Sequence, residues 1–333
     1  MRRPGRCFRQ LLPLALALFA GPASVAHAAK TPANGELVFI GIPNVSPPVD
    51  EPYVLRAKYP SGVVDTLARL PTGNAPRRIA VSPLDGLIYV LGGNSILQVD
   101  PCTGAVATIS SGGFFPSISS DGLCAHSNGS LYWTKAQGPV VRVDRFSGAQ
   151  TALTNLVSSY GVGGTGLKEG PDHQLYVSTA TSSAGTRPWV VRVDPNSGAS
   201  AVVGSFNIQS TNVRDLAFDT RDSLYVLRVG FNYIVYRVDQ VAGTVSPYVT
   251  LTVIGTTFGS LAGHPDGGLY FPCIPSGSQW AILRLDPVST AVTTIVPQQP
   301  LMGFLGVAVM RGFSGCPTET RRSTWGRLKA RYR

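Results

Sequence analysis

Gln174-Leu-Tyr-Val177 and, one loop later, Val190-Val-Arg-Val-Asp-Pro-Asn-Ser-Gly-Ala199 make up the stretch whose reading decides the fold. Both runs are rich in the β-branched and aromatic residues that favour strands. Asp194 to Gly198 reads as a tight turn, because proline presets φ, Asp and Ser bond nearby backbone, and glycine accepts positive φ. The same pattern recurs upstream, from Gly86 (Gly-Leu-Ile-Tyr-Val, then Ile96 to Ala105) and from Ser130 (Ser-Leu-Tyr-Trp, then Val140 to Ala149). It recurs downstream from Ser223 (then Val235 to Thr244) and from Gly268 (then Ile282 to Ala291). Tyr89, Tyr132, Tyr176, Tyr225 and Tyr270 mark the beat, with separations of 43, 44, 49 and 45. Such a period belongs to a propeller or solenoid, in which one unit cannot bury its apolar face alone.

Each repeat divides into four short strands. In the copy around Tyr89 these are Arg78 to Ser82, Leu87 to Leu91, Ser95 to Asp100 and Ala105 to Ser110. Frequent turns and the lack of helical periodicity exclude α/β folds. Glu36 to Ile40, Tyr53 to Lys58 and Gly62 to Leu67 look like strands two to four of a repeat that lacks its first strand. Leu305 to Val309 looks like a first strand without successors. Joined, they complete one blade. The expected fold is thus an all-β, six-bladed β-propeller with four-stranded blades, its ring closed by N-terminal strands plus one C-terminal strand, which removes exposed edges.

Residues 1–28 stand apart. Arg2, Arg3, Arg6 and Arg9 precede an apolar run from Leu11 to Ala20, and Ala26-His27-Ala28 is a small-residue cleavage pattern. This reads as a secretory signal peptide, too short and wrongly flanked for a membrane span. The expected organisation is a signal peptide over 1–28, the propeller over 29–315 and a basic tail over 316–333, in a secreted or periplasmic protein. No later segment is apolar for long enough to suggest a transmembrane span.

The formal charge of +10 is misleading as a whole-chain figure. Residues 1–28 carry +4 and residues 311–333 carry +6, so the body is neutral. A neutral body argues against nucleic acid as partner. The tail, with Trp325, Leu328 and Tyr332 on one helical stripe, suits surface association or an unstructured terminus. Beyond Cys7 the chain has Cys102, Cys124, Cys273 and Cys316. An even count in an exported chain permits disulfides, and the pairing stays open, as do buried free thiols. A bond between Cys102, in a turn, and Cys124, in an inner strand, is disfavoured.

The repeated Leu-Tyr-Val strand and the Arg-Val-Asp-Pro-x-Ser-Gly strand and turn resemble those of NHL-repeat and virginiamycin B lyase-like six-bladed propellers of exported bacterial proteins. The resemblance spans roughly Glu36 to Val309 and also takes in gluconolactonase-like enzymes. It implies a fold, and two enzyme activities to test residue by residue. Virginiamycin B lyase-like repeats carry Leu-Trp-Phe-Thr-Glu; here Leu131-Tyr132-Trp133-Thr134-Lys135 has lysine in place of the acid. Gluconolactonase-like enzymes hold a metal through Glu, Asn and Asp, for which Glu169, Asn212 and Asp215 are the candidates. His264, in a His-Pro-Asp-Gly turn, is the candidate lyase base, though turn chemistry explains it more simply.

In such a ring, residues just before each first strand are the natural ligand positions. They are Arg77, Arg78, Asp121, Thr165, Arg214, Asp215, Ser260 and Phe304, with loop aromatics Phe114, Phe115, Tyr160, Phe206 and Phe258. From these, Arg77, Arg78, Asp121, Tyr160, Arg214, Asp215, Phe258 and Phe304 form the expected channel-mouth site. An Arg/Asp and aromatic mouth suits a sugar, a peptide or a small amphipathic ligand. Aromatics that wedge between blades and Arg–Asp pairs that neutralise one another would explain the same residues structurally. No cofactor motif is evident, although Asp121 and Asp215 suit a divalent cation in the channel. No Gly-x-Ser-x-Gly elbow, Walker loop or zinc spacing occurs. The repeated Arg–x–Asp of the third strands reads as a structural ladder or a solvated face. The expected function is non-catalytic binding of an extracellular or envelope protein, peptide or glycan at the loop face; the alternative is a metal-dependent lyase or lactonase in the channel.

Overall fold

A computed structural model describes residues 33–43, 51–73, 75–93, 95–112, 122–134, 138–181, 187–207, 213–230, 232–251, 259–274, 280–299 and 302–316. Among these, one short helix, Leu156–Tyr160, interrupts an otherwise all-β chain. The described strands form four antiparallel four-stranded sheets and one eight-stranded sheet, made of two four-stranded meanders joined at their outer edges. The closing sheet runs Met302–Val309, Leu37–Pro43, Tyr53–Ala57, Val64–Arg69, with the last strand of the chain beside the first. Its register, Leu37↔Val309, Val38↔Ala308 and Phe39↔Val307, joins the two ends in one sheet.

Innermost strands of the other sheets are, in order, Arg78–Val81, Leu123–Ala125, Val162–Glu169, Val213–Phe218 and Ala262–Gly263. Each neighbours the next, and both Ala262–Gly263 and Arg78–Val81 neighbour Met302–Val309. The third and fourth of these sheets also touch at their outer edges, where Ser205–Phe206 pairs in parallel with Thr244–Val245. Core packing says the same. Six buried apolar clusters occur among the described residues, and each joins the facing sides of two successive sheets. A row of six four-stranded units would have five junctions; a ring has six. The cluster Leu37, Phe39, Tyr270, Ile282, Phe304 and Val307 is the one that closes it. With each buried Leu, Val, Ile or Phe contributing about 1.5–3 kcal/mol, no junction is incidental.

Local chemistry fixes the edges. Asp100, Asp144, Asp194, Asp239 and Asp286 each end a third strand, and each accepts backbone N–H groups of the turn that follows, as in Asn196 N at 2.7 Å and Ser197 N at 2.8 Å from Asp194. Those bonds lower the carboxyl pKa of Asp144, Asp194 and Asp286. The glycine that follows is needed twice over. Gly198 has φ +73°, and a Cβ there would stand 2.3 Å from Leu153 O in the preceding sheet. In the last copy Thr290 takes this place at φ 58°. The five beat tyrosines are buried, and Tyr132, Tyr176 and Tyr270 bond Asn128, Asp172 and Asp266 of their own hairpin.

Cys102 and Cys316 form a disulfide across a sequence separation of 214. Cys316, the first residue of the expected tail, is thereby pinned to the turn after strand Ser95–Val99. Cys124 and Cys273 are free and buried, and burial pushes both thiols up to about 12. No described helix is long and apolar enough to cross a membrane.

Candidate ligand cavity in the channel

The channel is built in layers two residues apart, since every second side chain of an innermost strand faces the same way. The middle layer is defined by register. Ala80, Cys124, Lys168, Ala217 and Ala262 pair with Tyr89, Tyr132, Tyr176, Tyr225 and Tyr270, and Ala308 pairs with Val38. All six line one cavity of about 470 Å³. Five small side chains and one lysine leave the axis open at this height.

One layer earlier stand Arg78, Gly122, Gly166, Asp215, Ser260 and Gly306. Small residues dominate here because Arg78 occupies the space. Its guanidinium donates to Gly259 O at 2.9 Å, Thr165 O at 3.2 Å and Arg214 O at 3.2 Å. Arg214 belongs to the sheet opposite that of Arg78 in the ring, so the side chain crosses the axis and plugs it. Gly166 is required beside it: a Cβ would meet the Cα of Asp215 at 2.6 Å. Asp215 is buried and fully engaged. It accepts from Leu216 N at 2.9 Å and Leu261 N at 2.9 Å, with Ser260 Oγ at 3.3 Å and Lys168 Nζ at 3.3 Å.

The cavity opens at the other end of the innermost strands. Pro83, Gly170, His173, Thr220, Asp222, Pro265 and Arg311, all in the segments that follow those strands, line its mouth. The sequence points to the opposite end, much of whose loop structure lies outside the described residues. None of Arg77, Arg78, Tyr160, Arg214, Asp215 and Phe304 lines the cavity, and Asp121 and Phe258 lie outside the described residues. Arg77 donates its backbone N–H to Leu91 O at 2.8 Å. Tyr160 ends the short helix and shares a hydrogen bond with Ser200 Oγ at 3.0 Å. Phe304 is fully buried, its ring edge-on to Phe39 at 4.9 Å. Phe206 is likewise buried, against Tyr236 at 5.2 Å. Burial lowers the pKa of Arg214, as does the neighbouring Arg78. Among the described contacts, Arg78 donates to carbonyls and Asp215 pairs with Lys168.

Candidate acid–base groups are also committed. Glu169, next to Lys168, lines the cavity and also reaches the neighbouring sheet. It accepts from Ser127 N at 2.9 Å, from Ser127 Oγ, and lies 2.8 Å from His173 Nδ1. His126 takes Asn128 N–H on Nδ1 at 3.0 Å and donates Nε2–H to His173 O at 3.0 Å, which sets its neutral tautomer. His264 plays the same turn role toward Asp266 N, at 3.1 Å. Glu169, Asp215 and His264 therefore do not converge. Among the described residues no group of three or more His, Cys, Asp or Glu side chains is placed to hold a metal ion. Asn212, Phe114, Phe115 and Lys135 lie outside the described residues.

Lys168 and Arg311 are two charged cavity residues not singled out by the sequence. A signal for Lys168 was present: it stands eight residues before Tyr176, where alanine stands before Tyr225 and Tyr270. Arg311 follows the closing strand, and its Nη2 donates to Gly263 O at 2.6 Å.

No protein-family model matches the chain, and no curated protein matches it. Solved structures do resemble it. A chain in the crystal structure of a nidogen/laminin complex superposes with a TM-score of 0.64 at 13% identity, covering 84% of this chain and 100% of that one. TolB from Acinetobacter baumannii superposes with a TM-score of 0.64 at 14% identity, covering 84% of this chain and 68% of that one. Both are β-propellers, and this chain has the β-propeller fold.

Proposed function

We propose that this protein is an exported, six-bladed, non-catalytic propeller that binds a protein, peptide or glycan across the loop end around Arg77 and Arg214. The observation that carries this reading is the commitment of Asp215, Glu169, His126 and His264 to bonds that hold the fold. A general acid or base needs a free proton position within reach of substrate, and each of these has spent its own. Likeness to a propeller crystallised in a nidogen/laminin complex lends support to a protein partner. The Cys102–Cys316 bond supports an oxidising compartment, in keeping with a signal peptide over 1–28. The resemblance to NHL-repeat and virginiamycin B lyase-like propellers belongs to this reading, as does the tail over 316–333 as a means of surface association.

The test is capture from envelope and extracellular fractions, and from a glycan array, by the exported chain. A saturable partner that is lost when Arg77 is replaced supports the reading. Turnover of a lactone or a cyclic depsipeptide that responds to added divalent cations would replace it with the lyase or lactonase alternative. Deleting 318–333 without a change in localisation would remove the role given to the tail.

A further inference from the structure

The 470 Å³ cavity is walled mainly by apolar groups. Its volume falls within the range of small-molecule sites, about 300–1,000 Å³. The plug is Arg78, and the wall is the layer of Ala80, Cys124, Ala217, Ala262 and Ala308. What distinguishes the cavity from leftover space is the balance of its charges. Its acids are occupied: Glu169 by Ser127 and His173, and Asp219 by the N–H groups of Arg221 and Ser223, both at 2.9 Å, and by Arg221 Nη2 at 3.2 Å. Asp222 stands exposed at the outer rim, in water.

Its cations keep donors to spare, although Lys168 is paired with Asp215 below the cavity. Among the described residues Arg311 makes one hydrogen bond, to a carbonyl, and no carboxylate is in ion-pair contact with it. A guanidinium offers five donors in a planar fork suited to a carboxylate. Arg311 keeps exposed surface at the mouth, while burial of the rest of the side chain pushes its pKa down, opposed by the more distant Glu169. Among the described residues Lys168 has one ion-pair partner, Asp215 Oδ2 at 3.3 Å, which leaves some of its three donors free. A lysine in an otherwise alanine and cysteine layer puts a positive head group against an apolar wall.

We propose that the cavity binds a small organic carboxylate, its charge held by Lys168 and Arg311 and its hydrocarbon body lying against the alanine layer. This site is at the opposite end of the ring from the proposed partner-binding loops, so either can stand without the other.

The experiment titrates the purified full chain by calorimetry with straight-chain carboxylates from butyrate to decanoate and with 4-phenylbutyrate. Each acid is paired with its neutral amide. The expected result is saturable binding of at least one acid at millimolar concentration or below, weakened about tenfold or more in its amide, because a charge-assisted bidentate contact is lost. Arg311→Gln, which leaves the plug and the core untouched, is expected to weaken the acid by a similar factor and leave the amide unchanged. Ala262→Leu, which fills the wall, is expected to weaken both. Thermal melts of each variant establish that it is folded. No binding by any acid, equal binding of acid and amide, or indifference of a folded Arg311→Gln variant would each overturn the proposal.

Discussion

Arg78→Met removes the plug while keeping most of the side-chain volume, and its consequence can be worked from the geometry. Three carbonyls, of Thr165, Arg214 and Gly259, lose a charged donor at 2.9–3.2 Å. A hydrogen bond to a charged group contributes about 1.5–3 kcal/mol, so the three bonds set an upper bound of about 9 kcal/mol. Two effects reduce this. In the variant, water entering the space left by the guanidinium re-bonds part of what is lost, and removing Arg78 relieves its repulsion with Arg214, visible in the lowered Arg214 pKa. The expected net loss is about 3–5 kcal/mol, near three such bonds at the low end of their range. Urea unfolding followed by tryptophan fluorescence reads it as a midpoint lowered by on the order of 1 M. Arg78→Lys should recover only part of the loss, because a single ammonium cannot span acceptors on three strands as a planar fork does. A change below about 1 kcal/mol in Arg78→Met would refute the claim that this side chain ties opposite sides of the ring.

Replacing Cys102 and Cys316 by serine should destabilise the chain by about 2–4 kcal/mol, and reductant should do the same to the parent but nothing further to the double variant, as seen in thermal melts. Thr290→Gly should stabilise by about 0.5–1 kcal/mol, since a left-handed φ of 58° suits glycine and strains a β-branched residue; Gly198→Ala should destabilise by more than that, as its Cβ meets Leu153 O. Asp266 is partly desolvated, which alone would raise its pKa, but bonds from Arg284, Gly268 N–H and Tyr270 hold it well below the usual carboxylate range. A depressed pKa contributes stability that is complete above the unfolded value, about 3.9, and is lost as pH falls toward the folded value. Asp266→Asn should therefore be destabilising at neutral pH, with the gap to the parent narrowing below about pH 4 in acid titrations monitored by circular dichroism.

The legible parts of this molecule are those written locally. Asp194 to Gly198 announces its turn because every bond that closes it lies within the segment, and the same holds for the other copies. The pairing of Leu305 to Val309 with Glu36 to Ile40 is long-range, yet it was readable: each end alone lacks what the other supplies. The position of this cavity along the channel was not readable. It depends on Arg78 reaching across the axis to carbonyls of residues 165, 214 and 259, and carbonyls carry no sequence signature. The same blindness affects Phe304, whose place before a first strand fits a ligand mouth as well as the buried wedge it forms on Phe39. Pairing of Cys102 with Cys316, over 214 residues, is likewise set by the ring and not by spacing. Lys168 is the intermediate case, visible once the strands are aligned on their tyrosines.

Ring closure underlies the cavity, the plug and the disulfide alike, and amide hydrogen exchange tests it most directly. Peptides covering 37–43 and 302–309 should exchange as slowly as those covering 175–181 and 189–193, and should open only with global unfolding. Rapid exchange of the two terminal segments, while the central sheets stay protected, would mean that the ends do not share a sheet and that the ring is open.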